Sequence, residues 1–281
     1  MHKIGVLGAG TMGIGIIQVI AQSGYHVQVT ETFPAALEAA PQRLEKAWSK
    51  MVTKGRITQE DKVSFLENVS FSAEMNALSD CELVVEAVPE KLDLKKNIFR
   101  QLDELTGPDT ILVTNTSALS ITEIAAATKR PQKVMGTHFF NPVPAMKLVE
   151  LIPTESTAEE TVDTVEAFIN SLKKQPIRVK ESPGFLVNRI LIPYLNEAFF
   201  AYQEGLATPE EIDEAMKLGA GMPMGPLALA DMVGLDICLM VTEYLYNEFG
   251  DPKYRPANCL KQKVRAGDLG VKSGKGFFNY S

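Results

Sequence analysis

The chain is poor in cysteine: Cys81, Cys238 and Cys259 are widely spaced in its 281 residues. No Cys-x-x-Cys pair and no Cys/His ligand spacing occurs, which argues against a disulfide framework and against a zinc site. No run of about 20 apolar residues appears, so the signal of a membrane-spanning helix is missing. Cationic excess is missing too, with 28 Lys and Arg against 35 Asp and Glu and a formal net charge of −7. Nucleic acids and anionic membranes both select basic surface, so neither is expected as a partner. Glycines interrupt the apolar stretch near the start, so no secretory leader is read there and the chain is expected in the cytoplasm. Internal repeats and low-complexity tracts are absent, and the length suits two domains.

What is present begins at once. The apolar run Ile4 to Leu7 leads into Gly8-Ala9-Gly10-Thr11-Met12-Gly13, a G-x-G-x-x-G loop, and then into an apolar stretch without proline from Ile14 to Ala21. Strand, glycine turn and helix in this order form a dinucleotide signature. Gly8 permits the tight turn, Gly10 lets a pyrophosphate approach the backbone, and Gly13 lets helix and strand pack closely. The helix start offers free N–H groups and a positive dipole end. A second strand-like run, His26 to Thr30, ends at Glu31. An acid there accepts hydrogen bonds from the adenosine ribose and repels a 2′-phosphate. Thr32 follows it rather than Arg, so NAD(H) is the expected cofactor, with an NADP-preferring form kept as an alternative.

Residues 34–67 read as helical. Gly55 marks a helix end, and Thr58 with Asp61 marks a restart by an acidic capping box. This places a helical hairpin inside the nucleotide domain. Strand signals resume at 69–71, 81–88, 110–114, 133–138 and 146–152, with helices between them, for instance 94–105 and 121–128. The run at 81–88 is almost continuously apolar, as a buried parallel strand should be. The alternation predicts a Rossmann-type doubly wound α/β sheet over residues 1–183. From Ser182-Pro183-Gly184 onward the pattern is helical, which predicts an all-α domain over 184–281.

Three segments place polar groups near strand ends, where open α/β sheets bind ligands. They are Asn115-Thr116-Ser117, His138-Phe139-Phe140-Asn141-Pro142, and Glu150 in an otherwise apolar strand. A dehydrogenase needs a group that takes a proton as hydride leaves, and a histidine suits this near neutrality. Glu150 is a carboxylate able to orient such a ring.

With these motifs in this order, the chain resembles the 3-hydroxyacyl-CoA dehydrogenase family. Ser182 to Arg189, Met224 to Asp236 and the closing Lys272 to Phe278 match its later segments, and the absence of further domains resembles the short bacterial 3-hydroxybutyryl-CoA dehydrogenases. The resemblance implies His138 as general acid/base, Glu150 as its partner, and Ser117 and Asn188 as substrate contacts. It implies Gly8, Gly10, Thr11, Met12, Gly13, Glu31, Glu90, Lys95 and Asn115 at the cofactor. It also puts Lys50 and Lys54 in the region that meets coenzyme A. The implied reaction is NAD(H)-dependent interconversion of (S)-3-hydroxybutyryl-CoA and acetoacetyl-CoA by a homodimer, with the C-terminal domain serving substrate closure and dimerisation. A dehydrogenase for another hydroxy acid, or a cofactor-binding protein without catalysis, remain the alternatives.

Overall fold

The computed structural model describes residues 1–280. Contacts divide the chain into two compact units, Met1–Glu181 and the part from Ser182 onward. The first unit opens with β1 (Lys3–Leu7), α1 (Thr11–Gln22) and β2 (His26–Thr30). The helical pair α2 (Pro34–Thr53) and α3 (Gln59–Glu67) follows, then β3 (Val69–Ser72), β4 (Leu83–Glu86) and α4 (Leu92–Leu105). The remainder is β5 (Ile111–Thr114), α5 (Ile121–Ala125), β6 (Val134–Phe139), β7 (Leu148–Pro153), α6 (Glu159–Ser171) and β8 (Gln175–Arg178).

The strands form one sheet in the order β3-β2-β1-β4-β5-β6-β7-β8. Neighbours are parallel except β6 and β7, which run antiparallel. Strand order reverses between β1 and β4, and that is the crevice where doubly wound sheets take their ligands. The sheet is apolar because helices cover it. Ile4, Val6, Val27, Val29, Leu83, Val85, Val113 and Met135 are all buried with Ile16, Ile17 and Ile20 of α1.

Local signals account for the helical hairpin. The stretch 34–67 is two helices rather than one. Gly55 adopts φ 63°, with its N–H on the Val52 carbonyl and the Arg56 N–H on the Met51 carbonyl. That pattern is a Schellman stop. Thr58 then accepts from the Asp61 N–H at 3.0 Å while Asp61 accepts from the Thr58 N–H at 2.8 Å. Trp48 and Leu44 of α2 are fully buried, so the hairpin is packed onto the sheet domain. The helix read over 121–128 stops at Ala125 instead. There the Thr128 hydroxyl donates to the Ala125 carbonyl at 2.8 Å, and the Ala127 and Thr128 amides bond three residues back.

The second unit is helical: α7 (Val187–Gln203), α8 (Pro209–Ala220), α9 (Pro226–Val233), α10 (Leu235–Phe249) and α11 (Asn258–Ala266). Its core gathers Leu195, Phe199, Leu227, Leu235, Val241, Leu245 and Leu260. Two buried aspartates fasten it. Asp213 accepts from the Leu227 and Ala228 amides at the start of α9. Asp231 accepts from the Phe277 and Phe278 amides and from the Tyr280 hydroxyl, which pins the closing segment. Among the described residues no helix is long and apolar enough to cross a membrane. No cluster of metal-ligating side chains occurs among them either.

Candidate active site

The glycine loop joins β1 to α1 at the switch point. Gly8 holds φ 101°. A Cβ on Gly13 would lie 2.0 Å from the Gly8 carbonyl oxygen, so that position accepts nothing larger. At Gly10 the opposite holds, since no heavy atom lies within 4 Å of where a Cβ would stand. The space over Gly10 is open, and α1 begins there with no side-chain cap on the first-turn amides of Thr11, Met12 and Gly13. Unpaired amides beneath open space are what a pyrophosphate requires. Glu31 closes the other side of the loop. Its Oε2 accepts from the Ala9 N–H at 2.8 Å and its Oε1 from the Phe33 N–H at 2.9 Å. Each carboxylate oxygen keeps a further lone pair for a ribose hydroxyl. These residues fit a dinucleotide.

A second cluster joins the ends of β4 and β5. Glu86, the last residue of β4, is fully buried. Its Oε1 accepts from Lys95 Nζ at 2.6 Å and from the Val88 N–H at 2.7 Å, and its Oε2 accepts from the Thr114 hydroxyl at 2.7 Å. Lys95 is itself 1% exposed and reaches Glu90 Oε2 at 3.4 Å. Glu90 Oε1 in turn accepts from the Thr116 hydroxyl at 2.5 Å and from the Ser117 N–H at 2.8 Å. Lys95, expected beside the cofactor, is therefore an interior cation. What it touches directly is Glu86, Glu90 and the Val88 carbonyl. Glu86 escaped the sequence reading, although an acid closing an apolar strand was its visible signal.

The third cluster crosses the antiparallel seam. His138 of β6 stands opposite Glu150 of β7 in register. His138 Nδ1 and Glu150 Oε2 are 2.7 Å apart, with the histidine 6% and the glutamate 0% exposed. Phe140 packs on the imidazole, ring centroids 4.4 Å apart. Asn115 links this seam to β5, its Oδ1 accepting from the Phe139 N–H at 2.9 Å. Lys174, also unread in the sequence, fixes the loop between β6 and β7. Its ammonium donates to the carbonyls of Val143 at 2.6 Å and Met146 at 2.8 Å, and partial burial holds its pKa below the ordinary lysine value.

The remaining expected residues lie elsewhere. Lys50 is exposed in the last turn of α2 and Lys54 is exposed at its C-cap. Asn188 belongs to the second unit, where it is half-buried in the first turn of α7.

The NAD binding domain model of 3-hydroxyacyl-CoA dehydrogenase matches residues 3–182, and the C-terminal domain model of the same enzymes matches 184–280. The chain belongs to the 3-hydroxyacyl-CoA dehydrogenase family. Within that family it is 50% identical over 279 residues to a 3-hydroxybutyryl-CoA dehydrogenase of Clostridioides difficile, covering 99% of each chain. It is 43% identical to one of Mycobacterium tuberculosis, covering 100% of this chain and 99% of the relative. The solved (S)-3-hydroxybutyryl-CoA dehydrogenase of Ralstonia eutropha shares 48% identity and superposes with a TM-score of 0.97, over 100% of this chain and 99% of that one. Family membership makes the nucleotide half an NAD-binding domain, in keeping with the open glycine loop and Glu31.

Proposed function

We propose that this chain interconverts (S)-3-hydroxybutyryl-CoA and acetoacetyl-CoA with NAD(H). The observation that carries the reading is the buried His138–Glu150 pair at 2.7 Å. Bound NAD supplies hydride acceptance in one direction and hydride donation in the other. The protein handles the proton. With Nδ1 on Glu150, exchange with the substrate's 3-oxygen falls to His138 Nε2, and the buried carboxylate stabilises the imidazolium that results. Weak solvation of the pair strengthens that stabilisation. Ser117 and Asn188 take the part of donors to the substrate's oxygens as charge develops on them. Glu90 accepts from the Ser117 N–H at 2.8 Å and from its hydroxyl at 3.3 Å, so the carboxylate anchors that serine, and donation to substrate requires the hydroxyl to turn away from Glu90.

In this reading residues 1–183 bind NAD(H) and residues 184–281 serve substrate closure and dimerisation. Exposed Met232, Ile237 and Met240 on α9 and α10 support a homodimer. Light scattering that finds only monomer at micromolar concentration would remove it. The net charge of −7 supports an enzyme without a nucleic-acid or membrane partner, and we place it in the cytoplasm.

Lys50 and Lys54 lie one turn apart on exposed helix surface and suit the phosphates of coenzyme A as point charges. The deciding experiment follows NADH oxidation with acetoacetyl-CoA and with free acetoacetate. Rapid turnover with the thioester and little with the free acid is expected. Equal turnover with both would point to another hydroxy acid. The K50A/K54A variant is expected to raise KM for acetoacetyl-CoA about 3- to 10-fold with kcat kept, the size of two exposed ionic contacts. An unchanged KM would take the lysines out of the site.

A further inference from the structure

The glycine loop is held by a cation as well as by Glu31. Arg43, exposed on α2, donates from Nη1 to the Ala9 carbonyl at 3.0 Å. The N–H of that same Ala9 is the one held by Glu31 Oε2 at 2.8 Å. Two side chains of opposite charge thus grip the two polar backbone atoms of one residue. Among the described residues Arg43 has no carboxylate partner, whereas both oxygens of Glu31 are engaged by backbone amides. Dinucleotide folds divide on this contrast: an acid at the end of the second strand serves a ribose 2′-hydroxyl, and a nearby arginine serves a 2′-phosphate. Here the residue after the acid is Thr32, yet an arginine of the following helix reaches the carbonyl of Ala9, the residue whose N–H the acid holds.

We propose that Arg43 is a specificity-determining residue for the dinucleotide, a guanidinium positioned for a ribose 2′-phosphate that the Glu31 carboxylate keeps out. This rests on the NAD(H) reading above. Guanidinium matches phosphate with paired charge-assisted hydrogen bonds. A carboxylate locked in place beside the same group adds like-charge repulsion that no rotamer change relieves. NAD preference is then one substitution deep. Coenzyme A also carries a ribose phosphate, on the 3′ position. The contact of Arg43 with the dinucleotide loop itself favours the 2′-phosphate.

The test measures binding by calorimetry, without turnover, using ADP, adenosine 2′,5′-bisphosphate and adenosine 3′,5′-bisphosphate. The proteins are wild type, E31Q, R43Q and E31Q/R43Q. Glutamine keeps the shape of Glu31 and one acceptor while removing its charge. E31Q is expected to lower the ratio of the 2′,5′-bisphosphate dissociation constant to that of ADP about tenfold, ADP itself weakening as its ribose loses a charged acceptor, and the double variant is expected to lose that gain in ratio. Should E31Q damage the loop, R43Q alone carries the test. It is expected to raise the ratio of the 2′,5′-bisphosphate dissociation constant to that of ADP by about threefold or more. A gain that persists without Arg43 overturns the proposal. So does equal weakening of ADP and the 2′,5′-bisphosphate in R43Q, which would make Arg43 a brace for the loop. A loss confined to the 3′,5′-bisphosphate would also overturn it and assign Arg43 to coenzyme A. Failure of wild type to bind ADP would instead strike the NAD(H) reading itself.

Discussion

Replacing His138 with alanine is expected to lower kcat by about 10²- to 10⁴-fold, the usual contribution of a positioned general acid/base. The dissociation constant for NADH is expected to hold, because the glycine loop and Glu31 follow the ends of other strands, β1 and β2. Glu150→Gln is the sharper variant. Glutamine retains an acceptor for Nδ1 at the 2.7 Å contact but carries no charge to stabilise an imidazolium. Loss of about 10²-fold or more in kcat is expected, by analogy with carboxylates that orient catalytic histidines elsewhere. Steady-state kinetics with acetoacetyl-CoA, paired with NADH fluorescence titration, separates the two quantities. Full turnover in both variants would end the assignment of the pair as the proton-transfer group. Loss of NADH binding along with turnover would mean that the substitutions had damaged the sheet instead.

The second large effect is on stability. Lys95→Met leaves the Glu86 carboxylate, 0% exposed, without its cation. Stranding a buried charge in this way costs about 3–5 kcal/mol. At about 2–4 °C per kcal/mol for a domain of this size, the melting temperature is expected to fall by roughly 10 °C. The double variant E86Q/K95M removes both charges and is expected to recover much of the loss. Thermal denaturation of the single and double variants tests this. A Lys95→Met protein as stable as wild type would show that the pair contributes nothing. Kinetics of the same variants carry a second reading. Lys95 also holds Glu90, and Glu90 holds Ser117, so kcat is expected to fall further than misfolding accounts for.

The legibility of these features in the sequence followed their range along the chain. The glycine loop and the Thr58–Asp61 box are problems of three to six neighbouring residues, solved by backbone geometry and short side chains. They stand where the sequence puts them. His138 and Glu150 were visible separately, as a histidine near a strand end and an acid in an apolar strand. Their contact depends on β7 returning antiparallel against β6, which no periodicity states. Glu86, Arg43 and Lys174 were the residues missed. Each owes its place to long-range packing: a carboxylate under a helix, a guanidinium crossing to the loop, an ammonium caging a turn. Long side chains end several ångströms from their own backbone, and only the tertiary fold says on what.

The antiparallel seam ties chemistry to the integrity of the sheet. Side chains alternate faces along a strand, so a slip of one residue between β6 and β7 would turn one member of the pair to the opposite face. Both strands lie inside an eight-stranded sheet with neighbours on each side. Interior strands open last as a protein is warmed, while loops and termini open first. The His138–Glu150 contact therefore has no partly formed state. Its geometry persists while the seam is closed and vanishes when the seam opens. Enzyme activity measured along a melting curve doubles as a probe of one particular strand pairing.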